Sequence, residues 1–441
     1  MGAQPACPAL TESGDGPDPS GPHLYVGLDV GRRSHTVAAI PRAAMEDGSW
    51  DRAPVRRIPT NGIGFTDLTS WLATVASVET TVIACEPTGG WYSRTAVAWL
   101  EAVGYRIVWL QNWALHERRQ LAIGKQTKTD ALDARLLARL LYERDRLGSV
   151  GGFLHRRPPS AEALRLLVRN RLKLVNLKTR YRLQLGVLED ALFPELKEFF
   201  TTRSTGRVVR SILEHFPTPA ALAAATPDQL ARVSAGPGRG GRIAARLVEL
   251  QGLAATSAGL VKDTDEMLVL QRWLLRQLRV VDEEIENADT AIAAALEAWP
   301  EGDRTILGSL PGVTTLRQAV LLSTIGDWRT FDNDRQLRKM LGWYPEAKES
   351  GTSVSKHRLG EKGNRLARRE LWLWVIALIS PVTPPNPFRL YYHRLRQRGM
   401  RGSVAVGHVA GKLITVLFHC LKSGELYDPG RHSKSLGLDD A

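Results

Sequence analysis

Cysteine is scarce in this sequence, and long apolar runs are missing. The 441 residues contain three cysteines, Cys7, Cys85 and Cys420, which are far apart and form no CxxC pair. This spacing argues against a disulfide framework and a structural zinc site, and it fits a reducing compartment. No apolar run reaches the length of a membrane span, and the start has no basic segment followed by an apolar stretch. These absences predict a cytoplasmic protein without a membrane segment.

Positive charge exceeds negative charge. Lysine and arginine number 59 against 46 aspartates and glutamates, which gives a net charge of +13 and a pI near 9.8. A surplus of this size favours a polyanionic partner such as nucleic acid. Many soluble proteins are mildly basic, so charge by itself leaves the partner open. The hydrophobic share of 43% is typical of a globular protein, and the length predicts two or three domains.

Strands and helices alternate in the first third of the chain. The predicted strands cover residues 24–30, 35–40, 80–85 and 105–110, the first two as a hairpin. The predicted helices cover residues 91–103 and 129–142. Thr129 is the predicted N-cap of the second helix. The alternation predicts an α/β domain over residues 23–150, preceded by a disordered leader, residues 1–22, rich in Gly, Pro, Ser and Asp.

The remainder of the sequence is predicted to be helical. Leucines recur at three- and four-residue spacing in residues 161–188 and 263–299, which predicts two long amphipathic helices paired as a coiled coil or a helical hairpin. Between them, GPGRGGR at residues 236–242 is left without an assignment. We predict a helical middle region over residues 151–303, a mostly helical third domain over residues 304–421 and a loose polar tail over residues 422–441.

Four carboxylates stand at chemically suggestive positions. Asp29 and Glu86 end two predicted strands, and Asp130 and Asp133 share one face of a predicted helix. Carboxylates at such places can converge at one edge of a sheet, where two divalent cations, Mg²⁺ or Mn²⁺, would relieve their repulsion and serve phosphoryl transfer. The alternatives are ordinary ones: turn residues at Asp29 and Glu86, helix capping at Asp130, and an ion pair of Asp133 with Arg135 or Arg139.

Three blocks of sequence carry a family resemblance. GLDVGRRSHTVAAI, ACEPTGGWYSRTAVAWLEAVGYRIVWLQ and KTDALDARLLARLL resemble the signature blocks of DEDD transposases of the IS110 insertion-sequence family, which includes the Piv/MooV DNA invertases. The resemblance implies a RuvC-like N-terminal domain with a ribonuclease-H-like fold. It also implies that Asp29, Glu86, Asp130 and Asp133 are the catalytic metal ligands.

The segment after residue 304 has two features of interest. A Pro-Gly turn at residues 311–312 between apolar helices resembles a helix-hairpin-helix element, although an ordinary helical hairpin fits equally well. Residues 335–369 hold ten Lys/Arg against three Glu, and this excess suits a phosphate backbone. The predicted contacts here are Lys356, Arg358, Lys362 and Arg365.

A serine lies inside this basic stretch. Ser350 precedes Gly351, where a tight turn can expose its hydroxyl, but a bare serine is a poor nucleophile. The block resembles the C-terminal transposase domain of the same family, which implies that Ser350 is its nucleophilic serine. Ser353 and Ser355 lie close enough to remain rivals.

The start of the long middle helix is also basic. Residues 154–183 contain nine Lys/Arg and one Glu, so DNA or structured RNA can lie along this face, unless the charge only maintains solubility. The predicted contacts are Arg165, Arg169, Arg171, Lys173 and Arg180.

The resemblance implies a complete function. The chain is expected to be a bacterial transposase that cleaves and rejoins DNA at insertion-sequence ends and a target, guided by a structured noncoding bridge RNA and acting as a dimer or tetramer. Two other functions stay open: a junction-resolving endonuclease that uses the carboxylates alone, and an inactive nucleic-acid-binding scaffold. The serine block argues against the first, and the four acidic positions argue against the second.

Overall fold

The described part of the chain forms two compact units. The computed structural model describes residues 21–86, 92–110, 115–116, 118–119, 129–147, 153–154, 159–199, 207–234, 240–262, 264–348, 356–360 and 363–437. One unit ends at Arg156 and the other begins at Arg157. The predicted leader lies outside the described residues except for its last two positions.

The first unit is built on a mixed sheet. Its strands are Leu24–Asp29 (β1), Ser34–Pro41 (β2), Val55–Pro59 (β3), Thr81–Cys85 (β4), Arg106–Leu110 (β5) and Phe153–Leu154 (β6). They lie in the order β3-β2-β1-β4-β5-β6, with β1 antiparallel to β2 and parallel to β4. The predicted hairpin is confirmed, and the sheet is consistent with the predicted ribonuclease-H-like domain.

Helices cover both faces of this sheet. They are Arg42–Glu46 (α1), Gly62–Val75 (α2), Tyr92–Val103 (α3) and Asp130–Leu147 (α4), with a 3-10 turn at Ser49–Arg52. Side chains alternate along β1, so Leu24, Val26 and Leu28 pack under α2 and α3, while Tyr25 packs under α4. Each face therefore has its own apolar core.

Helix α4 lies unusually close to β1 at Gly27. A Cβ atom at this position would stand 1.8 Å from the carbonyl oxygen of Ala134, so glycine is required for the contact. Further along, the rings of Tyr25 and Tyr142 meet edge to face with centroids 5.3 Å apart. Since the residue numbers of α4 rise as those of β1 fall, the two elements run antiparallel.

The second unit is mainly helical. Its helices are Pro159–Leu192 (α5), Pro194–Phe199 (α6), Arg207–His215 (α7), Pro219–Ala223 (α8), Pro227–Ser234 (α9), Gly240–Ala254 (α10), Asp265–Glu297 (α11), Glu301–Ser309 (α12), Thr315–Ile325 (α13), Asp334–Met340 (α14), Arg365–Ile379 (α15), Pro387–Gln397 (α16), Gly402–Ser423 (α17) and Pro429–Ser435 (α18). A 3-10 turn spans Trp328–Thr330, and Pro345–Lys348 (β7) pairs antiparallel with Lys356–Leu359 (β8).

The two long helices, α5 and α11, pack against each other, as the leucine spacing predicts. A supercoiled geometry for the pair stays a prediction. One apolar core joins the end of α5 and the beginning of α11 to α6 through α10. Another core joins the beginning of α5 and the end of α11 to α12 through α17. The boundary predicted between residues 303 and 304 therefore falls within a shared core, because Val168 and Ile292 pack in the same cluster as Leu413.

The prediction of a loose C-terminal tail over residues 422–441 is wrong for its described part. Residues 422–437 are not loose, because Tyr427 and His432 pack against Phe388, with ring centroids 6.1 and 4.5 Å from it. The backbone N–H of Tyr427 also donates to Ser309 Oγ at 2.8 Å. Polar composition suggested an exposed tail, but two aromatic rings are enough to fasten it.

Helix α17 is long and apolar enough to cross a membrane by length and composition, contrary to the expectation that no such run occurs. Val409, Leu413 and Leu417 of this helix are fully buried in the core of the second unit, although Val404 near its start is exposed. A mostly buried core helix meets the same criterion of length and apolarity.

The predicted Pro-Gly turn joins α12 to α13, with Gly312 at a φ of 70°. Trp374 Nε1 donates to the Pro311 carbonyl at 2.8 Å, and Arg317 bonds the Gly312 carbonyl. A phosphate-binding role for this helical hairpin stays a prediction.

Candidate active site

Two of the predicted carboxylates lie on neighbouring strands. Asp29 is the last residue of β1, and Glu86 directly follows β4. Since these strands are parallel with Leu28 opposite Cys85, the next residues along, Asp29 and Glu86, are also opposite each other. Both are half-buried. The two carboxylates therefore occupy the carboxyl ends of adjacent parallel strands, where functional groups of α/β proteins gather.

Strand alternation assigns both residues to the same face. Tyr25 lies on the α4 side of β1, and Asp29, four residues later, continues that row. Ala84 lies on the α4 side of β4, and Glu86 continues its row by two residues. Asp29 and Glu86 are thus on the side of the sheet that α4 covers.

The pKa of the Cys85 thiol reflects the two nearby carboxylates. Its pKa is raised above the ordinary value by burial, and the charges of Glu86 and Asp29 raise it further. Both carboxylates act on one thiol, so both lie near it. A fully buried thiol with a raised pKa stays protonated and is not a nucleophile.

The other two carboxylates stand in the first turn of α4. The Thr129 hydroxyl accepts a hydrogen bond from the Leu132 N–H at 3.2 Å, which confirms the predicted cap. Asp130 is exposed, and Asp133 is 2% exposed. Both acidic side chains suit the positive end of the helix dipole.

The direction of α4 brings this turn to the same edge. Ala134 rests on Gly27, and α4 runs antiparallel to β1, so residues before 134 lie towards the carboxyl end of β1. Each helical residue advances about 1.5 Å. Asp133 and Asp130 consequently lie towards the β1 end that carries Asp29. We call Asp29, Glu86, Asp130 and Asp133 together the acidic sheet edge.

Asp133 has a partner that the sequence did not suggest. Arg119 donates to its carboxylate through Nε at 2.7 Å and Nη2 at 2.5 Å, a bidentate ion pair. The alternatives considered, Arg135 and Arg139, instead donate to the Ala53 carbonyl and to Glu143. Nothing in the D-x-x-D spacing identifies a partner 14 residues away, so Arg119 was missed.

The donor chemistry of the edge fits Mg²⁺ or Mn²⁺, because carboxylate oxygens are hard ligands. Within the described ranges, no three Asp, Glu, His or Cys side chains converge closely enough to hold a metal ion. The ion pair to Arg119 engages one carboxylate, and Asp130 faces solvent.

The predicted serine region is described in part. Ser350, Ser353, Ser355 and Lys362 lie outside the described residues. The backbone of Lys356 and Arg358 belongs to β8, and the segment containing Ser350 connects β7 to β8. Arg365 is the first residue of α15 and is exposed. A strand hairpin was not predicted for this domain.

The basic face of α5 divides into free and engaged residues. Arg171 forms a bidentate pair with Asp289 of α11, with Nη2 3.1 Å from Oδ2, so it helps to fasten the helix pair. Arg165 lies 3.4 Å from Glu162 on its own helix. Three side chains are exposed: Arg169, Lys173 and Arg180. These three can reach a polyanion without breaking an ion pair that the structure records.

Two family profiles match the chain. One, described as "Transposase" and built on DEDD transposases of IS110, matches residues 26–194, which include the whole acidic sheet edge. The other, described as "Transposase IS116/IS110/IS902 family", matches residues 304–393, which include Ser350.

Curated relatives agree with these profiles. The "Insertion element IS110 uncharacterized 43.6 kDa protein" of Streptomyces coelicolor is 27% identical over 92% of this chain and 95% of its own length. The "Insertion element IS116 uncharacterized 44.8 kDa protein" of Streptomyces clavuligerus is 26% identical over 92% and 96%. The "Pilin gene-inverting protein" of Moraxella bovis is 23% identical over 35% of this chain and 48% of its length.

Proposed function

The chain belongs to the IS110 family of transposases, and we infer that it cleaves and rejoins DNA strands at the ends of an insertion sequence and at a target. One observation carries this proposal: Asp29 and Glu86 end adjacent parallel strands beneath a helix that begins with Asp130 and Asp133. Four carboxylates directed to one sheet edge suit a metal-dependent phosphoryl-transfer site.

We propose that the acidic sheet edge holds Mg²⁺ or Mn²⁺. When bound, two such ions would activate an attacking oxygen and stabilise a leaving oxygen of the phosphodiester. Arg119 neutralises the buried Asp133 carboxylate, whose desolvation would otherwise be costly. Asp29, Glu86, Asp130 and Asp133 would supply the oxygen ligands.

Ser350 is the proposed nucleophile. Its Oγ attacks a DNA phosphorus, and a P–Oγ bond forms as the P–O bond to one strand breaks. The serine hydroxyl loses a proton, and the leaving oxygen of that strand takes one up to become a hydroxyl end. Attack by the hydroxyl of an incoming strand then reverses the step, so rejoining conserves the phosphodiester bond and needs no ATP. The support is the match of this segment to the family profile.

The proposed partners follow the family. DNA is the substrate, and a structured noncoding bridge RNA is the proposed guide for choosing target and donor. Contacts to phosphates would come from the exposed α5 residues and from the β8–α15 segment. We also propose that the protein acts as a dimer or tetramer in the bacterial cytoplasm. RNA that copurifies with the protein, sequenced and mapped to the flanks of its gene, tests the guide.

A trapping experiment tests the mechanism. The full-length protein is mixed with a nicked suicide DNA substrate and Mg²⁺, run on a denaturing gel, and peptide-mapped. Wild type should give a covalent adduct on Ser350, Ser350→Ala should bind DNA without an adduct, and Ser353→Ala and Ser355→Ala are the matched controls. An adduct on another serine moves the assignment. Cleavage without an adduct would indicate a junction-resolving endonuclease, and neither activity would indicate a scaffold.

A further inference from the structure

A cavity of about 800 Å³ opens in the second unit between α15 and α17, beside α14 and β8. Its existence follows from the sequence of α17. Ser403, Gly407 and Gly411 are spaced by four residues, so three small residues share one helix face and leave room opposite α15. The Trp343 indole N–H donates to the Gly407 carbonyl at 3.0 Å and forms the floor.

Aromatic rings make up much of the wall. Trp343 and Trp372 face each other with centroids 6.4 Å apart and planes tilted by 36°. Trp372 is 40% exposed, which is unusual for an indole without a partner surface. The ring of Tyr344 fills the space that a side chain at Gly360 would occupy. The remaining aromatic residue of the lining is Tyr391.

The same cavity is cationic. Its described lining contains no carboxylate and includes Arg338, Arg365, Arg368, Arg369, His408 and Lys412. Two of the arginines are held in the wall: Arg338 by Thr415 and Asp334, and Arg368 through the Gly360 carbonyl at 2.7 Å. The acidic residue of α15, Glu370, is turned away and pairs with Arg317 at 3.1 Å.

The exposed cations and the exposed indole lie on one face of α15. Arg365, Arg369 and Trp372 follow the i, i+4, i+7 pattern, and all three are exposed. A phosphate group at the arginines would therefore bring an attached base to the indole. An acidic peptide would satisfy the arginines, but it has no flat ring for the aromatic wall.

We propose that this cationic cavity binds an unstacked nucleotide of a single-stranded nucleic acid, with the base on Trp372 and its phosphates at Arg365 and Arg369. Base–aromatic stacking with a basic rim is how proteins hold single strands. The proposal rests on the proposed function only in that the protein handles nucleic acid. DNA and RNA share this chemistry, and the test separates them.

The test uses full-length protein and 12-nucleotide oligomers, one DNA and one RNA, each with a central 2-aminopurine. Stacking on an indole quenches this fluorophore. We expect Trp372→Leu to weaken binding about tenfold and abolish the quenching, with Trp372→Phe retaining most of both. Trp273→Leu is the matched control, because Trp273 of α11 is 45% exposed and is not part of the cavity lining. Stronger quenching of one oligomer identifies the strand.

The contribution of the exposed arginines Arg365 and Arg369 is tested by the salt dependence of binding. Arg365→Ala and Arg369→Ala should each lower the slope of log affinity against log salt by about 0.7, the value for one phosphate of a single strand. Unchanged quenching in Trp372→Leu would overturn the proposal, as would an equal loss of binding to a fully paired duplex. Neither result bears on the proposed function, which fails separately if the wild-type protein neither cleaves nor rejoins DNA.

Discussion

The acidic sheet edge and the cationic cavity place charged groups in opposite ways. At the edge, backbone hydrogen bonds between β1 and β4 set Asp29 opposite Glu86, and one glycine admits α4. In the cavity, residues between positions 338 and 412 meet only because four helices and a hairpin pack together. At the edge, the positions of the carboxylates are set by main-chain hydrogen bonds between strands. In the cavity, the positions of the lining side chains are set by how the helices pack.

The two sites also differ in the sign of the charged side chains that they collect. The edge collects carboxylates, one of which, Asp133, is paired with Arg119. The cavity collects cations, and its described lining contains no carboxylate. A nuclease-type recombinase needs both: negative ligands for metal ions and positive surfaces for phosphates. The proposed metal ligands thus belong to the first unit, and the cationic cavity belongs to the second.

The largest effect is expected at the edge. Asp29→Asn and Glu86→Gln keep the shape of the side chain but remove the charge that would hold a metal ion, so each should lower recombination at least about a hundredfold. Asp67→Asn, an exposed change on α2, is the control. Strand exchange is measured alongside a thermal melt. If either edge variant recombines near the wild-type rate, that residue is not a ligand.

Main-chain placement is tested at Gly27. Gly27→Ala would put a methyl group into the Ala134 carbonyl, and we expect the free energy of unfolding to fall by about 3 kcal/mol. Gly62→Ala, where no atom lies within 4 Å of the added carbon, should change it by less than about 1 kcal/mol. Urea unfolding measures both. Equal stabilities would mean that α4 can shift away from β1 to admit the methyl group.

The basic face of α5 differs from both sites, because its charged side chains lie on an exposed helix surface and not in a cavity or at a sheet edge. Reversing Arg165, Arg169 and Arg180 to Glu together should lower the salt slope of duplex DNA binding by about 2 to 3 units. Arg171→Ala should leave the slope unchanged and cost less than about 1 kcal/mol of stability, because it removes a partly exposed pair with Asp289. Fluorescence anisotropy at several salt concentrations measures the slope. A triple variant with the wild-type slope would make this face a solvated surface.

The smallest effect concerns pH. Burial, with the nearby charge of Lys412, lowers the pKa of His432 to about 4, and its Nδ1 meets the Tyr427 hydroxyl at 2.8 Å. As the pH falls, the His432 imidazole takes up a proton near pH 6.5 in the unfolded chain, but only at lower pH in the folded protein. Stability is therefore full above pH 6.5 and is lost as the pH falls towards 4, by about 2 kcal/mol at pH 5.

Urea unfolding at pH 7 and pH 5 measures this loss, with His432→Phe as the comparison. The variant lacks the titrating group, so its difference between the two pH values should be smaller by about 2 kcal/mol. His35, buried on β2 of the first unit, also has a lowered pKa and contributes with the same sign in both proteins. An identical pH dependence in the variant would mean that the pKa of His432 is the same in the folded and the unfolded protein.

Much of the first unit could be predicted because its signals are local. Apolar runs of five or six residues identified β1, β4 and β5, and Thr129 marked the start of α4 to the residue. Edge strand β3 was missed, since exposed Arg56 and Arg57 interrupt its apolar pattern. In the second unit, periodicity identified α5 and α11, but not the fastening of the tail, which depends on Phe388 forty residues away.

Local sequence pattern by itself determined four strands of the first unit, the two long helices, the family and the positions of Asp29, Glu86, Asp130 and Asp133. Each of these features is encoded by neighbouring residues. Tertiary structure alone decided that Asp133 pairs with Arg119, that Arg171 faces Asp289 and that Trp372 shares a cavity with Lys412. Such partners depend on how separate elements pack. That outcome is set by the fit of whole surfaces, which no short pattern contains.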